Sequence, residues 1–532
     1  MIKLQKYLGG ISNYSEDYKI KLGLLALSKI STIADLLSIN EPSAPAISAP
    51  GKEPMTYGQL NILSKNTVSK LNTLGISRND RVAIVVPNGP EMATIFISVA
   101  RGATAAPLNP NYTTDEYEFY LSDINATALI VESKKNCPSA VAAKNLGIKV
   151  IELIPEKSSV AGEFILLGKK STPITKENSV LESDIALILH TSGTTSKPKI
   201  VPLSQKNIIS SSKNIASWLS LKPNDKCLNI MPLFHIHGLI GAVLASLYSG
   251  SCVTCTKGFN VLSFFSWLEK EKPSWYTAVP TMHQAILTRA NRNQAIVKNS
   301  SLRFIRSSSA SLPLNVLKQL EQTFEIPVIE SYGMTEASHQ MTSNPLPPRK
   351  RLPGSVGIAA GPKVAIMGQC GTILGPDQLG EVVIKGNNVI LGYENNKDSN
   401  KTSFTKGWFR TGDQGYLNSD GYLNLTGRLK EIINRGGEKI SPLEVDERLQ
   451  QHPSVHQAVT FSIPHDKLGE DVAAAVVLVA NKKLLESELK IFAAEKLSNF
   501  KVPKTILFVE EIPKGATGKL QRIGLAKKLG LA

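Results

Sequence analysis

The chain has 532 residues, 42% of them hydrophobic and 20% charged, with a formal net charge of +16 at pH 7. That length excludes a single core, and the composition excludes a disordered chain. The longest apolar-leaning stretch, residues 239–248, is broken by Gly and Ser and is too short to span a bilayer.

The positive charge points to anionic partners. The lysines are scattered singly and in pairs rather than gathered in a block with interleaved aromatics, so small polyanionic substrates fit better than a nucleic acid. Five cysteines, an odd number thinly spread, predict a reducing compartment and no disulfide framework. Cys252 and Cys255 form one CxxC inside a strand pattern, and buried strand thiols are expected rather than a metal site. The N-terminus lacks the apolar run of a secretory signal, and the chain ends Leu-Gly-Leu-Ala rather than in a peroxisomal address. A cytoplasmic protein is the expectation.

In chain order, residues 57–74 space their apolar positions as a helix. Residues 81–87 read as a buried strand, 91–101 as a helix, a further helix starts near 114, and 128–131 and 186–190 read as strands. This alternation predicts an α/β fold with mixed, largely parallel sheets flanked by helices. Past residue 375, short strands with Gly or Asp-Gly turns at 380–386 and 421–425 predict a small antiparallel region. A compact α+β pattern follows, with a helix at 443–451, a strand at 472–479 and a helix at 485–497. The expected division is an N-terminal extension over 1–34, a large domain over 35–429, and a small C-terminal domain over 430–532 on a hinge.

The strand at 186–190 runs into Thr191-Ser192-Gly193-Thr194-Thr195-Ser196-Lys197-Pro198-Lys199. Such a loop offers hydroxyls, backbone N–H groups and two ammonium groups to phosphate oxygens, although it lacks the P-loop spacing. By composition alone it is also an ordinary polar loop. Ordered segments downstream add to it: Met231-Pro232-Leu233-Phe234-His235, Ser331-Tyr332-Gly333-Met334-Thr335-Glu336, Thr411-Gly412-Asp413, Gly427-Arg428-Leu429-Lys430-Glu431, and Gly515-Ala516-Thr517-Gly518-Lys519. Together they resemble the adenylate-forming superfamily of acyl-CoA synthetases, coumarate-CoA ligases, luciferases and adenylation domains, over roughly residues 35–525. The chain departs from the family at Ser196 and Ile200, where glycines are usual.

The resemblance implies ATP, Mg²⁺ and coenzyme A as cofactors, a carboxylic acid as substrate, and a monomer or homodimer. It places Thr191, Ser192, Gly193, Thr194, Thr195, Lys197 and Lys199 on the triphosphate. Ser331, Tyr332, Gly333, Thr335, Asp413 and Arg428 go to the nucleotide, with Tyr332 against adenine and Asp413 on the ribose hydroxyls. Glu336 suits Mg²⁺ as a hard oxygen ligand, and Thr335 beside it suits a phosphate. A Thr-Glu pair can equally cap a helix. Lys519 is the family's lysine bridging carboxylate and α-phosphate. Lys430 is the hinge, and Arg435, Gly436, Gly437 and Lys439 resemble the loop that meets coenzyme A after the small domain turns; a plain glycine turn is the competing reading.

Histidines and hydroxyls around His235, His237, 307–311 and 337–340 suit a small polar or dianionic acid better than a fatty or aromatic one. The stretches 306–312 and 334–345 resemble the oxalyl-CoA synthetase branch. That likeness implies Ser309 and His339 on the distal carboxylate and His235 by the reacting one. Open alternatives are another acid (malonate, a medium-chain fatty acid, a coumarate-like aromatic), a carrier-protein thiol as acceptor, or a basic nucleic-acid-binding scaffold.

Overall fold

A computed structural model of the protein describes residues 30–132, 137–157, 160–169, 179–191, 198–513 and 522–532. Most of the expected extension 1–34 lies outside these residues.

The elements form where local chemistry favours them. The helix Tyr57–Thr73 starts on a reciprocal capping box between Thr56 and Gln59. The helix Pro90–Ala100 starts on a proline, whose missing N–H costs nothing at that position. The first strand patterns are buried on both faces, as parallel strands between helices must be.

A seven-stranded sheet runs Phe164–Leu167, Lys149–Pro155, Ala128–Glu132, Arg81–Val85, Thr104–Pro107, then β1 (Ile185–His190) and β2 (Ile200–Ser204). Its centre is parallel and its two edge pairs are antiparallel. A nine-stranded sheet runs Lys52–Thr56, Pro45–Ala49, Cys252–Cys255, Lys226–Asn229, β3 (Trp275–Ala278), β4 (Phe304–Ser307), β5 (Val328–Met334), β6 (His339–Ser343) and Ile358–Ala359. It too is parallel at its centre and antiparallel at both edges. The expected antiparallel region is a five-stranded sheet of Lys363–Met367, Gly380–Lys385, Phe404–Thr405, β7 (Trp408–Leu417) and β8 (Leu423–Arg428). A fourth sheet, with the strands Gly469–Leu478 and Val455–His465 packed against helices Pro442–Gln450 and Glu486–Ala494, builds its own core after residue 430.

Cys252 and Cys255 lie buried in their strand, and burial pushes both thiols up. The Gly/Ser-broken stretch at 239–248 is a buried π-helix, His237–Leu244, continued by a turn of α-helix at Ala245–Tyr248. No helix among the described residues is long and apolar enough to cross a membrane.

At the amino ends of three consecutive parallel strands sits a polar staple. Arg303 donates through Nε and Nη2 to Asp225 at 2.7 and 2.8 Å, and the Ser274 hydroxyl donates to Asp225 at 2.7 Å. These three residues immediately precede β4, the strand Lys226–Asn229, and β3, so the staple fixes where each strand begins and therefore what each delivers at its carboxyl end. Burial alone would raise the Asp225 carboxyl, but Arg303, Ser274 and the Lys222 N–H outweigh it and hold it below the usual aspartate range. Its contribution to stability is therefore complete above the unfolded value of about 4 and is lost as pH falls through the lower folded value. Asp225→Asn is expected to flatten that acid limb in urea unfolding. Arg303→Met, which strands a buried carboxylate, should lower unfolding free energy at neutral pH by about 3 kcal/mol; an unchanged urea midpoint would refute the staple.

Candidate active site

The phosphate-loop candidate is anchored by an antiparallel pair. His190 at the end of β1 faces Ile200 at the start of β2. The Thr191 N–H donates to the Lys199 carbonyl at 3.0 Å, and the Lys199 N–H donates to the Thr191 hydroxyl at 3.1 Å. Ser192, Gly193, Thr194, Thr195, Ser196 and Lys197 lie outside the described residues. Ile200, one of the two departures from the family's glycines, is buried in the core beside Ile188 and Leu108, so its side chain contributes to packing.

Lys199 lays its ammonium over the Tyr393 ring at 4.4 Å. Burial and the neighbouring Lys430 lower its pKa, opposed by Glu336. The Tyr393 hydroxyl donates to Glu336 Oε1 at 2.7 Å. Glu336 is buried, and burial raises its carboxyl against the stabilising effect of Tyr393, its own N–H, Arg428 and Lys199. Among the described residues this is the carboxylate facing the loop's anchor, and it is ringed by donors and cations.

Glu336 stands on a 3₁₀ turn, Thr335–Ala337, between β5 and β6. The turn is entered from an extended Met334 without a side-chain cap, so Thr335 opens the turn and does not cap a helix. The hairpin is tight: a β-carbon on Gly333 would lie 1.5 Å from the His339 carbonyl oxygen. Ser331 is buried, its hydroxyl donating to the Ser307 carbonyl at 3.3 Å while Ser308 donates to the Ser331 carbonyl at 3.0 Å. The Tyr332 hydroxyl donates to Asp413 Oδ2, and Arg428 Nε donates to Asp413 Oδ1 at 3.1 Å. Asp413 and Arg428 face each other across β7 and β8, which places the ribose candidate and the phosphate-side cation in one register step. Tyr332, Asp413 and Arg428 thus form one connected group, reached from two sheets.

On the acid side, His235 lines a cavity of about 50 Å³ together with Asn109, Tyr120, His190, Phe234 and Thr335. His235 Nδ1 accepts the His237 N–H at 3.4 Å, which leaves Nε2 to carry the proton of the neutral ring. His237 is fully buried at the start of the π-helix, its Nδ1 paired with Ser309 Oγ at 3.0 Å and its Nε2 with Thr277 Oγ1 at 2.6 Å. It stacks on His339 with centroids 4.8 Å apart. Ser309, Ser338 and His339 all adopt positive φ (73°, 50° and 101°), a strained conformation for non-glycine residues. The structure therefore brings His235, His237, Ser309 and His339 together.

Three residues that sequence reasoning left unassigned join them. Tyr393 bridges Lys199 and Glu336, as described. His190 pairs its Nε2 with Asp123 at 2.9 Å and meets the Tyr120 ring edge-on, with burial lowering its pKa against Asp123. Arg306, fully buried on β4, donates from Nη1 to His339 Nε2 at 3.0 Å. A charged residue inside an apolar strand pattern, Phe304-Ile305-Arg306, was the available signal for the last.

Lys430 follows β8, and the chain re-enters structure as a hairpin of Ile433–Arg435 and Glu438–Ile440, with Gly436 and Gly437 in its turn at φ of 59° and 98°. Arg435 Nε donates to Asp471 at 2.6 Å within the same small sheet, while Lys439 is exposed. Arg435, Gly436, Gly437 and Lys439 are gathered in the small sheet, whereas Lys430 precedes it and acts electrostatically on Lys199. Lys519 lies outside the described residues. Arg522, just beyond it, bridges Glu431 at 3.3 Å and Asp446 at 2.6 Å.

The sequence and the fold are shared with known proteins. Residues 39–394 match the family described as AMP-binding enzyme, and residues 444–519 its C-terminal domain. An oxalate–CoA ligase of Arabidopsis thaliana is 44% identical over 491 residues, covering 90% of this chain and 95% of that protein. One of Saccharomyces cerevisiae is 41% identical over 477 residues, covering 85% and 87%. Among solved structures, the O-succinylbenzoate coenzyme A synthetase of Bacillus subtilis in complex with ATP and magnesium ion superposes with a TM-score of 0.80 at 27% identity, covering 93% of this chain and 99% of that one. With its parallel sheets, antiparallel region and small C-terminal sheet, the chain belongs to the AMP-binding enzyme family.

Proposed function

We propose that this protein is an ATP-dependent acid–CoA ligase that converts oxalate to oxalyl-CoA. The observation that carries the choice of acid is the buried polar cluster of His237, His339, Ser309 and Arg306, which adjoins His235 through the His237 N–H. The cavity that His235 lines with Tyr120, His190 and Thr335, about 50 Å³, is far below the roughly 300 Å³ at which sites for drug-sized ligands begin. A fatty or coumarate-like tail needs a longer apolar slot, whereas a two-carbon dianion needs donors and positive charge at close range. The identity to oxalate–CoA ligases supports the same acid.

In the first half-reaction an oxygen of one carboxylate attacks the α-phosphorus of ATP, and the bond to the β-phosphate oxygen breaks to release pyrophosphate. Two anions must meet, so positive charge and oriented donors are needed where charge develops. Lys199, Thr191 and the loop through Ser192, Gly193, Thr194, Thr195 and Lys197 would hold the triphosphate. Asp413 would accept from the ribose, kept in place by Tyr332 and Arg428, with Ser331 and Gly333 forming the backbone wall beside it. His235 would offer Nε2–H to the reacting carboxylate, and Ser309 and His339 would hold the distal one. Thr335 would touch phosphate, and Lys519 would bridge the two reacting groups.

Glu336 and Thr335 offer hard oxygens that fit Mg²⁺. Glu336, buried and facing the loop's anchor, would hold that ion, with the Thr335 hydroxyl beside it. When bound, that ion neutralises charge on the phosphates during displacement. In the second half-reaction the coenzyme A thiolate attacks the acyl carbon and AMP leaves. We place the large domain at 35–429 and the small one at 430–532, turning about Lys430 so that Lys519 withdraws and Gly436-Gly437, with Arg435 and Lys439, comes to the pantetheine arm. We place the reaction in the cytoplasm.

Pyrophosphate release with oxalate is expected to exceed that with malonate, coumarate or octanoate by at least about 100-fold in kcat/KM; equal or reversed rates would remove oxalate from the reading. Lys519→Ala should slow acyl-AMP formation by on the order of 100-fold or more, yet leave thiol transfer from supplied acyl-AMP near wild type. Unchanged adenylation in that variant would sink the lysine's role.

A further inference from the structure

One member of the acid-side cluster has no contact assigned to it in the reaction as laid out, and its surroundings are unusual. The Arg306 guanidinium is fully buried. Nη1 donates to His339 Nε2 at 3.0 Å and reaches Thr277 Oγ1 at 3.4 Å, and Nη2 donates to Gln340 Oε1 at 3.1 Å. Its Nε–H meets no acceptor among the described residues. Every partner is neutral. Burial lowers its pKa to about 9, opposed only by the Cys227 thiol, so it stays charged at neutral pH without a carboxylate to balance it. Chains normally bury a guanidinium only against an acid, because desolvating an unpaired charge is costly. Here the cost is borne beside the acid pocket, on the neighbour of a strained histidine.

The direction of the hydrogen bond matters. A guanidinium only donates, so His339 Nε2 must accept, and the neutral ring then carries its proton on Nδ1. Arg306 thus sets the tautomer of His339 without needing to touch the acid. The π-helix closes the other side: a β-carbon on Gly241 would lie 2.7 Å from His339 Nε2, so glycine is what lets the helix press on that ring.

We propose that Arg306 is a specificity-determining positioning residue of the acid pocket: it fixes His339 as an Nδ1–H donor, and its uncompensated charge makes the pocket select a dianionic acid over a monoanion of the same size. The identity of the dianion rests on the oxalate reading; the selection by charge does not.

The test uses the full chain and pyrophosphate release with oxalate and with glyoxylate, a monoanion on the same two-carbon frame, read as substrate or as competitive inhibitor. Arg306→Met, which keeps length and volume, is expected to raise KM for oxalate by about 100-fold while kcat changes by less than about threefold and glyoxylate binding is retained. Arg306→Lys, which restores charge but not the fork, should recover about tenfold of that KM. Added to His339→Asn, Arg306→Met should cost less than it does in the wild type, since the part of its effect that runs through the His339 contact is already lost. Wild-type KM for oxalate in Arg306→Met would overturn the proposal. So would equal weakening of oxalate and glyoxylate with a lowered unfolding midpoint in both variants, the signature of a purely structural arginine. If the wild type prefers another dianion, the oxalate reading fails and the same comparison is made with that acid and its monoanionic counterpart. A wild type that prefers a monoanion overturns charge selection itself.

Discussion

Between Gly333 and the carbonyl of His339 there is no room for one more carbon atom. That contact draws β5 and β6 into a hairpin so tight that the turn between them is a single 3₁₀ turn followed by two residues at positive φ. Three contacts of the site hang from this hairpin. Tyr332, one residue before the contact, reaches across to Asp413; Glu336, on the turn, meets Tyr393; His339, at the contact itself, meets Arg306. The Tyr332–Asp413, Glu336–Tyr393 and His339–Arg306 contacts are therefore consequences of one backbone approach, and they cannot be displaced independently.

Strain of this kind persists only where the surroundings over-determine it. Here they do. Ser338 donates to the Asn388 carbonyl at 2.9 Å and accepts Ser211 on its own carbonyl at 2.6 Å. Asn388 returns two bonds from its side-chain amide, to the carbonyls of Ala337 and Gln340 at 2.8 and 3.1 Å. The turn is clamped from a helix on one side and a loop on the other, so backbone polar groups that the sharp reversal removes from the ladder find partners in buried side chains.

Much of this was legible in the sequence, and the reasons differ by element. Strands such as Arg81–Val85 and Ile185–His190 announced themselves because parallel strands buried on both faces are continuous apolar runs. The residues around Glu336, Asp413 and Arg428 were legible because their spacing and order carry a resemblance, but that they meet is a matter of register between β7 and β8 and of the Tyr332 reach, neither of which is written locally. Tyr393 stood in a segment with no recurring pattern and His190 was legible only as the end of a strand; their roles arise from long-range contacts to Glu336 and Asp123. Arg306 was visible as a charge in an apolar strand, yet only the fold shows that its partners are all neutral. Thr335, which read equally as a helix cap, opens a 3₁₀ turn because β6 pairs back at once and leaves no length for a helix.

The anchoring of the loop at Thr191 and Lys199 has an entropic consequence. Bringing two chain ends together is ordinarily an expense of the loop itself, rising with the logarithm of its length. Here the β1–β2 ladder and the paired bonds between Thr191 and Lys199 bring the ends together before the loop's own residues take part. Ile200 strengthens that closure by packing where a glycine would have packed nothing. The flanking strands thus supply the closure, and its entropic expense falls on β1 and β2.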